Sequence, residues 1–344
     1  MTEHIRTVRV VYPLTSGEMV LRTADDWSRD LAPVAVDAAS GHYDFELRSA
    51  RTFLDFKPCI RRGDRLDWAQ GTNKLAFLTG QGIQEVYPYF YSGLRGEITA
   101  LEEQPSAVLG RNLEARLYLP PGYRENVLKR FPVLYMHDGK NLFFPEEAFR
   151  SREWEIDETL DRLDAMNLID QTIVVGIHSD DRERDYARPG YEAYGRALVE
   201  ELKPRLDATY RTLPGPRQTA VMGSSLGGLV SFYLAWQWPQ VFANAACLSS
   251  TFWYENDLLQ RVQSEGRQGR EHLRFYLDSG WPGDNYEVTL EMANALLDAG
   301  FQLGCDLLYF AFPHARHDEP SWPARSHLPL QLFSGKLVRR SSLV

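Results

Sequence analysis

The chain has 344 residues, 44% hydrophobic and 25% charged, with a formal net charge of -9. That length and apolar fraction support a sizeable buried core and predict two domains. The acidic balance, with no block of Lys or Arg, argues against nucleic acid and anionic membrane as partners. The 3 cysteines, Cys59, Cys247 and Cys305, lack metal or disulfide spacing and read as ordinary buried thiols. Residues 1–10 carry no apolar signal region and no stretch is apolar for the length of a bilayer, so a cytoplasmic location is the default expectation.

In chain order, residues 1–92 read as short β-like runs at 8–11, 19–21, 34–36, 43–47 and 53–60, separated by Gly-, Pro- and Asp-rich turns. Alternation is clearest at Tyr43, Phe45 and Leu47, which predicts a strand with one buried face. Helix patterns are lacking there, and a small all-β sandwich is expected. Trp27 and Trp68 either pack in its core or stack on sugar rings. A linker is predicted at 87–96. From 93 to 338, with strand and helix patterns alternating after Glu153, an α/β domain with a mostly parallel sheet is expected. Residues 339–344 are left as a tail.

Within the second domain, residues 131–136 read as a buried strand running into His137-Asp138-Gly139-Lys140, and 172–177 as another. Residues 221–228 read Val-Met-Gly-Ser-Ser-Leu-Gly-Gly, an apolar approach into G-x-S-x-G with Ser225 at its centre, followed by a helix-like run. This is the layout of a nucleophile elbow, where Gly223, Gly227 and Gly228 make room for a sharp strand-to-helix turn. A β-like run at 273–277 then delivers Asp278, and the loop behind it delivers Asp284. A last run at 307–312 leads to His314 and His317.

Serine, acid and histidine in that order are what an α/β-hydrolase requires. Serine is a weak nucleophile until an imidazole takes its proton, and a carboxylate fixes the imidazole tautomer. Ser225 is the expected nucleophile and His317 the expected base. Either Asp278 or Asp284 can serve as the acid, with Asp284 preferred. The N–H of Leu226 and one from the Gly139-Lys140 segment are the expected oxyanion donors. The chemistry calls for neither a metal nor an organic cofactor.

The segment 117–123, the strand with His137-Asp138-Gly139, the elbow, and His317-Asp318-Glu319 with Trp322 together resemble the Putative esterase family, which includes enterochelin esterases, feruloyl esterases, esterase D and the antigen 85 mycolyltransferases. The resemblance covers roughly residues 93–335. It implies Ser225, Asp284 and His317 as the triad, and the N–H groups of Lys140 and Leu226 as the oxyanion hole. It also implies Asp138, Arg182 and Tyr186 as substrate contacts, the last two in a loop that otherwise reads as a solvated charged turn whose Arg and Asp pair with each other. An immunoglobulin-like domain stands at the N-terminal position in enterochelin esterases. The implied activity is hydrolysis of a small-molecule ester, a siderophore trilactone first and an acylated sugar second. A reading of another class is a catalytically silent glycan-binding protein.

Overall fold

The structure, a computed structural model, describes residues 3–336, and the tail expected at 339–344 lies outside them. The chain clusters into two compact units. The first comprises the chain up to Gly96 together with Pro120–Arg130 and Asp161–Asp170. The second comprises Glu97–Leu119, Phe131–Leu160 and the chain from Gln171 on.

The first unit contains β1 His4–Val11, β2 Glu18–Thr23, β3 Asp26–Leu31, β4 Ala35–Asp37, β5 His42–Ser49, β6 Phe53–Arg62, β7 Arg65–Trp68, β8 Lys74–Phe77 and β9 Gln84–Val86. They form two sheets, β4-β5-β1-β9 and β3-β2-β6-β7, with β8 also on β6. Alternate residues of a strand share a face. Val8, Val10, Tyr43, Phe45 and Leu47 of the first sheet therefore meet Met19, Leu21, Leu54, Phe56 and Ile60 of the second in one buried cluster. Trp27 and Trp68 stand outside that cluster, against the first of the two readings given for them. Their rings lie 6.3 Å apart, and the guanidinium of Arg22 sits 5.4 Å from the Trp68 ring.

The stretch expected as a linker is pinned. The N–H groups of Phe90, Tyr91 and Ser92 donate to the Glu125 carboxylate at 2.6, 3.0 and 2.8 Å. Asn126 donates to the carbonyls of Val11 and Pro88 at 2.9 Å each. A charged acceptor that satisfies three backbone donors gives Pro120–Arg130 its place in the first unit.

The second unit contains β10 Glu97–Ile98, β11 Glu102–Ser106, β12 Arg111–Leu119, β13 Val133–Met136, β14 Ile173–His178, β15 Thr219–Ser224, β16 Asn244–Leu248, β17 Arg274–Trp281 and β18 Leu307–Pro313. One sheet runs β10-β12-β14-β13-β15-β16-β17-β18, with β11 on β12. β12 pairs antiparallel to β14, and the strands from β14 to β18 are parallel. Every residue of β13, β14, β15 and β16 is buried, as expected of parallel strands covered on both faces. The helix Leu226–Gln237, apolar all round, packs on β15 and β16, and Tyr286–Asp298 packs on β17 and β18. Connections leave β13 toward β14 but β15 toward β16. The C-terminal ends of β13 and β15 thus flank the switch point where such sheets bind ligands.

Two local expectations change. β17 does not stop before Asp278, because Ser279, Gly280 and Trp281 pair on with Ala311, Phe312 and Pro313 of β18. The charged loop after β14 contains a short helix, Arg182–Tyr186, whose first turn is capped by Asp181 accepting from the Arg184 N–H at 3.0 Å. Among the described residues, no helix is long and apolar enough to cross a membrane.

Candidate active site

Ser225 sits between β15 and the helix Leu226–Gln237 at φ 58°, ψ -121°, a conformation that costs a non-glycine residue energy and that its surroundings must enforce. They do so through glycine. A Cβ on Gly223 would lie 2.5 Å from the carbonyl carbon of Gly227, and one on Gly228 would lie 2.2 Å from Ser250 Oγ. The Ser225 N–H is anchored on the Leu248 carbonyl of the neighbouring strand at 2.9 Å. Backbone and hydroxyl are thereby fixed at the end of the sheet.

His317, in the loop after β18, presents Nε2 2.9 Å from Ser225 Oγ and Nδ1 2.8 Å from Asp284 Oδ1. With the Nδ1 proton donated to Asp284, Nε2 is left free to accept from the serine hydroxyl. Asp284 accepts further bonds from the N–H groups of Gly280 and Asn285, both at 2.7 Å, and from Ser249 Oγ at 2.5 Å. Burial disfavours its charge, yet the hydrogen bonds from His317, Ser249 and the two amides outweigh burial and hold the carboxyl at about 2. It remains an anion at any pH at which the imidazole works.

The other candidates for these roles face elsewhere. Asp278, inside β17 and fully buried, accepts from Arg325 Nε at 3.0 Å and Tyr276 Oη at 2.8 Å. Burial drives its carboxyl up to about 6, against the pull of Arg325. His314 is exposed, at φ 67°, with its N–H on the Trp281 carbonyl.

The two expected oxyanion donors are both helix-start amides. Leu226 is the first residue of Leu226–Gln237, and Lys140 is the second of the 3-10 turn Gly139–Asn141, so neither N–H has an acceptor within its own helix. Asp138 caps that turn in the left-handed region and forms a two-pronged pair with Arg182, at 2.7 Å to Nε and 3.0 Å to Nη2. Arg182 therefore pairs across to Asp138 and not within its own loop. Within the loop it is Arg184 that pairs, with Asp185 at 2.9 Å, and Asp185 also takes Arg111 at 2.6 Å. Tyr186 is not a surface for substrate: it is wholly buried, and its hydroxyl accepts from the Asp138 N–H at 3.2 Å.

A cavity of about 390 Å³ opens beside Ser224, with Phe149 and Trp322 among its apolar walls. Its charged lining is Lys140 and Arg182 against Asp138, Glu147 and Glu319. Lys140 and Glu147 have outside partners in Asp180 and Arg116. Burial pushes the Asp138 carboxyl up despite Arg182, and it brings the neighbouring His137 imidazole down to about 3. Among the described residues, no group of three or more His, Cys, Asp or Glu side chains is arranged to hold a metal ion.

Four residues near the triad escaped the sequence reading: Ser249, Asn285, Trp253 and Arg325. Asn285 Nδ2 donates to the Ser249 carbonyl at 2.9 Å, and its Oδ1 accepts from Trp253 Nε1 at 3.1 Å, which tethers an exposed indole. Ser249 and Trp253 follow β16, and a strand's C-terminal end was a usable signal for them. Arg325, buried in the helix Pro323–Ser334, has no local sequence signal.

The sheet order and the strained strand-to-helix turn at Ser225 are those of an α/β-hydrolase-type fold. The chain belongs to the family described as Putative esterase, which matches residues 106–301. It is 28% identical over 151 residues to the uncharacterized protein YbbA of Bacillus subtilis, covering 42% of this chain and 59% of the relative. It is 31% identical over 127 residues to the iron(III) enterobactin esterase of Dickeya dadantii, covering 32% of this chain and 29% of that protein. The chain thus aligns with less than two thirds of the length of either. Among solved structures, a ferulic acid esterase superposes with TM-score 0.60 at 18% identity, over 70% of this chain and 98% of its own. The ferric enterobactin esterase of Salmonella typhimurium gives TM-score 0.56 at 15% identity, over 96% and 93%. At such identities the structural likeness speaks to fold alone.

Proposed function

We propose that this protein hydrolyses carboxylic esters through an acyl enzyme on Ser225, with His317 as general base and acid and Asp284 orienting it. The observation that carries the reading is the unbroken contact from Ser225 Oγ through His317 to Asp284, at 2.9 and 2.8 Å. As Oγ attacks the ester carbonyl carbon, its proton passes to Nε2, and the new oxyanion takes hydrogen bonds from the Leu226 and Lys140 amides. Collapse breaks the carbon–oxygen bond to the alcohol, which leaves with the proton from Nε2. Water then attacks the acyl group, gives its proton to His317, and frees the acid and the serine.

The substrate class we favour is a metal-free catecholate trilactone. The iron(III) enterobactin esterase among the relatives supports a catecholate trilactone, and the preference for its metal-free form rests on the cavity. The cavity narrows the class. Its two cations face three carboxylates, a balance that repels a strongly anionic ferric complex and tolerates a neutral aromatic arm against Phe149 and Trp322. Its volume is near the lower end for small-ligand sites and suits one arm at a time. The N-terminal two-sheet unit we read as an immunoglobulin-like domain. The second reading, an acyl-sugar esterase, is favoured by the half-buried Trp27 beside the exposed Trp68, aromatic rings of the kind that stack on sugars.

Mass spectrometry of products from the metal-free trilactone, its ferric complex and a feruloylated sugar tests this, with Ser225→Ala alongside. Ser225-dependent opening of the metal-free trilactone, faster than of the ferric complex, is the expected result. Cleavage of the sugar ester alone moves the assignment to the second reading, and turnover that survives Ser225→Ala overturns the mechanism.

A further inference from the structure

We infer that Ser249, held by the buried Arg325–Asp278 pair, is a positioning residue for Asp284 and hence for His317; this rests on the triad proposed above. Ser249 directly follows β16 and is fully buried. Its N–H donates to the Asp278 carbonyl at 2.8 Å. Its backbone sits at φ 45°, in the left-handed region that a serine adopts only at a cost.

The hydroxyl has one proton and two lone pairs. Arg325 Nη2 donates to Oγ at 2.6 Å and Trp322 Nε1 donates at 3.0 Å, so both lone pairs are taken. The single proton therefore has one destination, Asp284 Oδ2, at 2.5 Å. A donor that cannot turn away pins one carboxylate oxygen and leaves the other, Oδ1, aimed at Nδ1 of His317. The charged guanidinium polarises the hydroxyl and strengthens the bond it gives.

The supports close on themselves. Trp322, one of the two donors to Ser249, also packs edge-on against the His317 ring, with centroids 5.1 Å apart. Arg325 is itself aimed by Asp278, at 3.0 Å, and its Nη2 lies 3.7 Å from Asp284 Oδ2. A buried ion pair contributes little net stability compared with apolar residues of the same volume. What the pair supplies at this place is a fixed donor one side chain away from the acid.

Ser249→Gly removes the hydroxyl and relieves the left-handed conformation, which offsets part of the cost of leaving the Arg325 and Trp322 donors without that acceptor, so the variant is expected to fold with a lowered Tm and its rates are compared well below it. Its kcat for p-nitrophenyl acetate and its rate of labelling by a fluorophosphonate are expected to fall about 10- to 100-fold, the worth of a hydrogen bond to a charged group, with KM within about twofold. Arg325→Met/Asp278→Asn, which removes the pair without leaving a charge alone, is expected to lower the same rates. Adding Ser249→Gly to it costs less than the product of the separate losses, since both act through one route. Wild-type rates in folded Ser249→Gly, with Ser225→Ala inert, overturn the positioning role and leave the triad intact. A wild-type protein that neither labels nor turns over overturns the triad and this role together.

Discussion

Asp278 and Asp284, six positions apart in one strand and its loop, have partners of opposite kinds: Asp278 is locked to Arg325 at 3.0 Å, and Asp284 to His317 at 2.8 Å. The first carboxyl is raised to about 6 and the second lowered to about 2. Asp284→Asn is therefore expected to lower turnover by a factor on the order of 10³ to 10⁴, because the imidazole loses its orienting anion. Asp278→Asn is expected to cost less than about tenfold in turnover but to lower Tm, since it leaves Arg325 buried without its counter-charge. Steady-state kinetics and thermal melts on the two variants separate these outcomes.

The elbow makes a steric prediction. A methyl group on Gly223 meets Gly227 backbone atoms at 2.5 to 2.9 Å, and backbone cannot rotate away as a side chain can. Gly223→Ala is expected to lose Tm and fluorophosphonate labelling together. A variant that folds and labels like wild type would show that the strand-to-helix turn is looser than described.

Two buried imidazoles set an acid limit on stability. Burial lowers His137 to about 3 and His178 to about 4, from an ordinary value of 6.5. Below about pH 6.5 the unfolded chain binds protons that these groups refuse in the fold. Their stabilisation is complete above that pH and is lost as pH falls toward the folded values. For His137 the loss at pH 5 is about 2 kcal/mol. Tm measured from pH 7 to 5 is expected to fall less steeply in His137→Gln than in wild type, and parallel slopes would contradict the assignment.

Charge in the cavity is a lever on substrate choice. Glu319 lines it and faces the field of Arg182. Removing that negative charge with Glu319→Gln is expected to raise kcat/KM for a ferric catecholate relative to the metal-free ester by about two- to fivefold, the scale of a solvent-screened charge pair. An unchanged ratio means that cavity charge does not set the preference.

How much of this was legible in the sequence depended on whether the signal was local. Ser225 and its glycines form one contiguous turn, so the elbow could be read from residue types alone. Strand patterns were equally plain where burial was total, as in β13 and β15. The end of β17 was not, because its last three residues are held by pairing with β18 and not by their own apolarity. Tyr186 reads as a candidate contact in a charged loop, yet the helix Arg182–Tyr186 turns it inward onto the Asp138 amide. Arg325 comes from a helix some forty residues past Asp284, and nothing near it in sequence marks it as facing Ser249. Such partnerships are set by tertiary packing, which leaves no periodicity to read.

Ser225, activated by His317 and Asp284, is the proposed nucleophile. Intact-protein mass spectrometry after fluorophosphonate treatment tests it most directly, on wild type, Ser225→Ala and Asp284→Asn. One adduct on wild type, none on Ser225→Ala and slowed addition on Asp284→Asn is the expected result. An unlabelled wild-type protein, or an adduct that persists in Ser225→Ala, contradicts it.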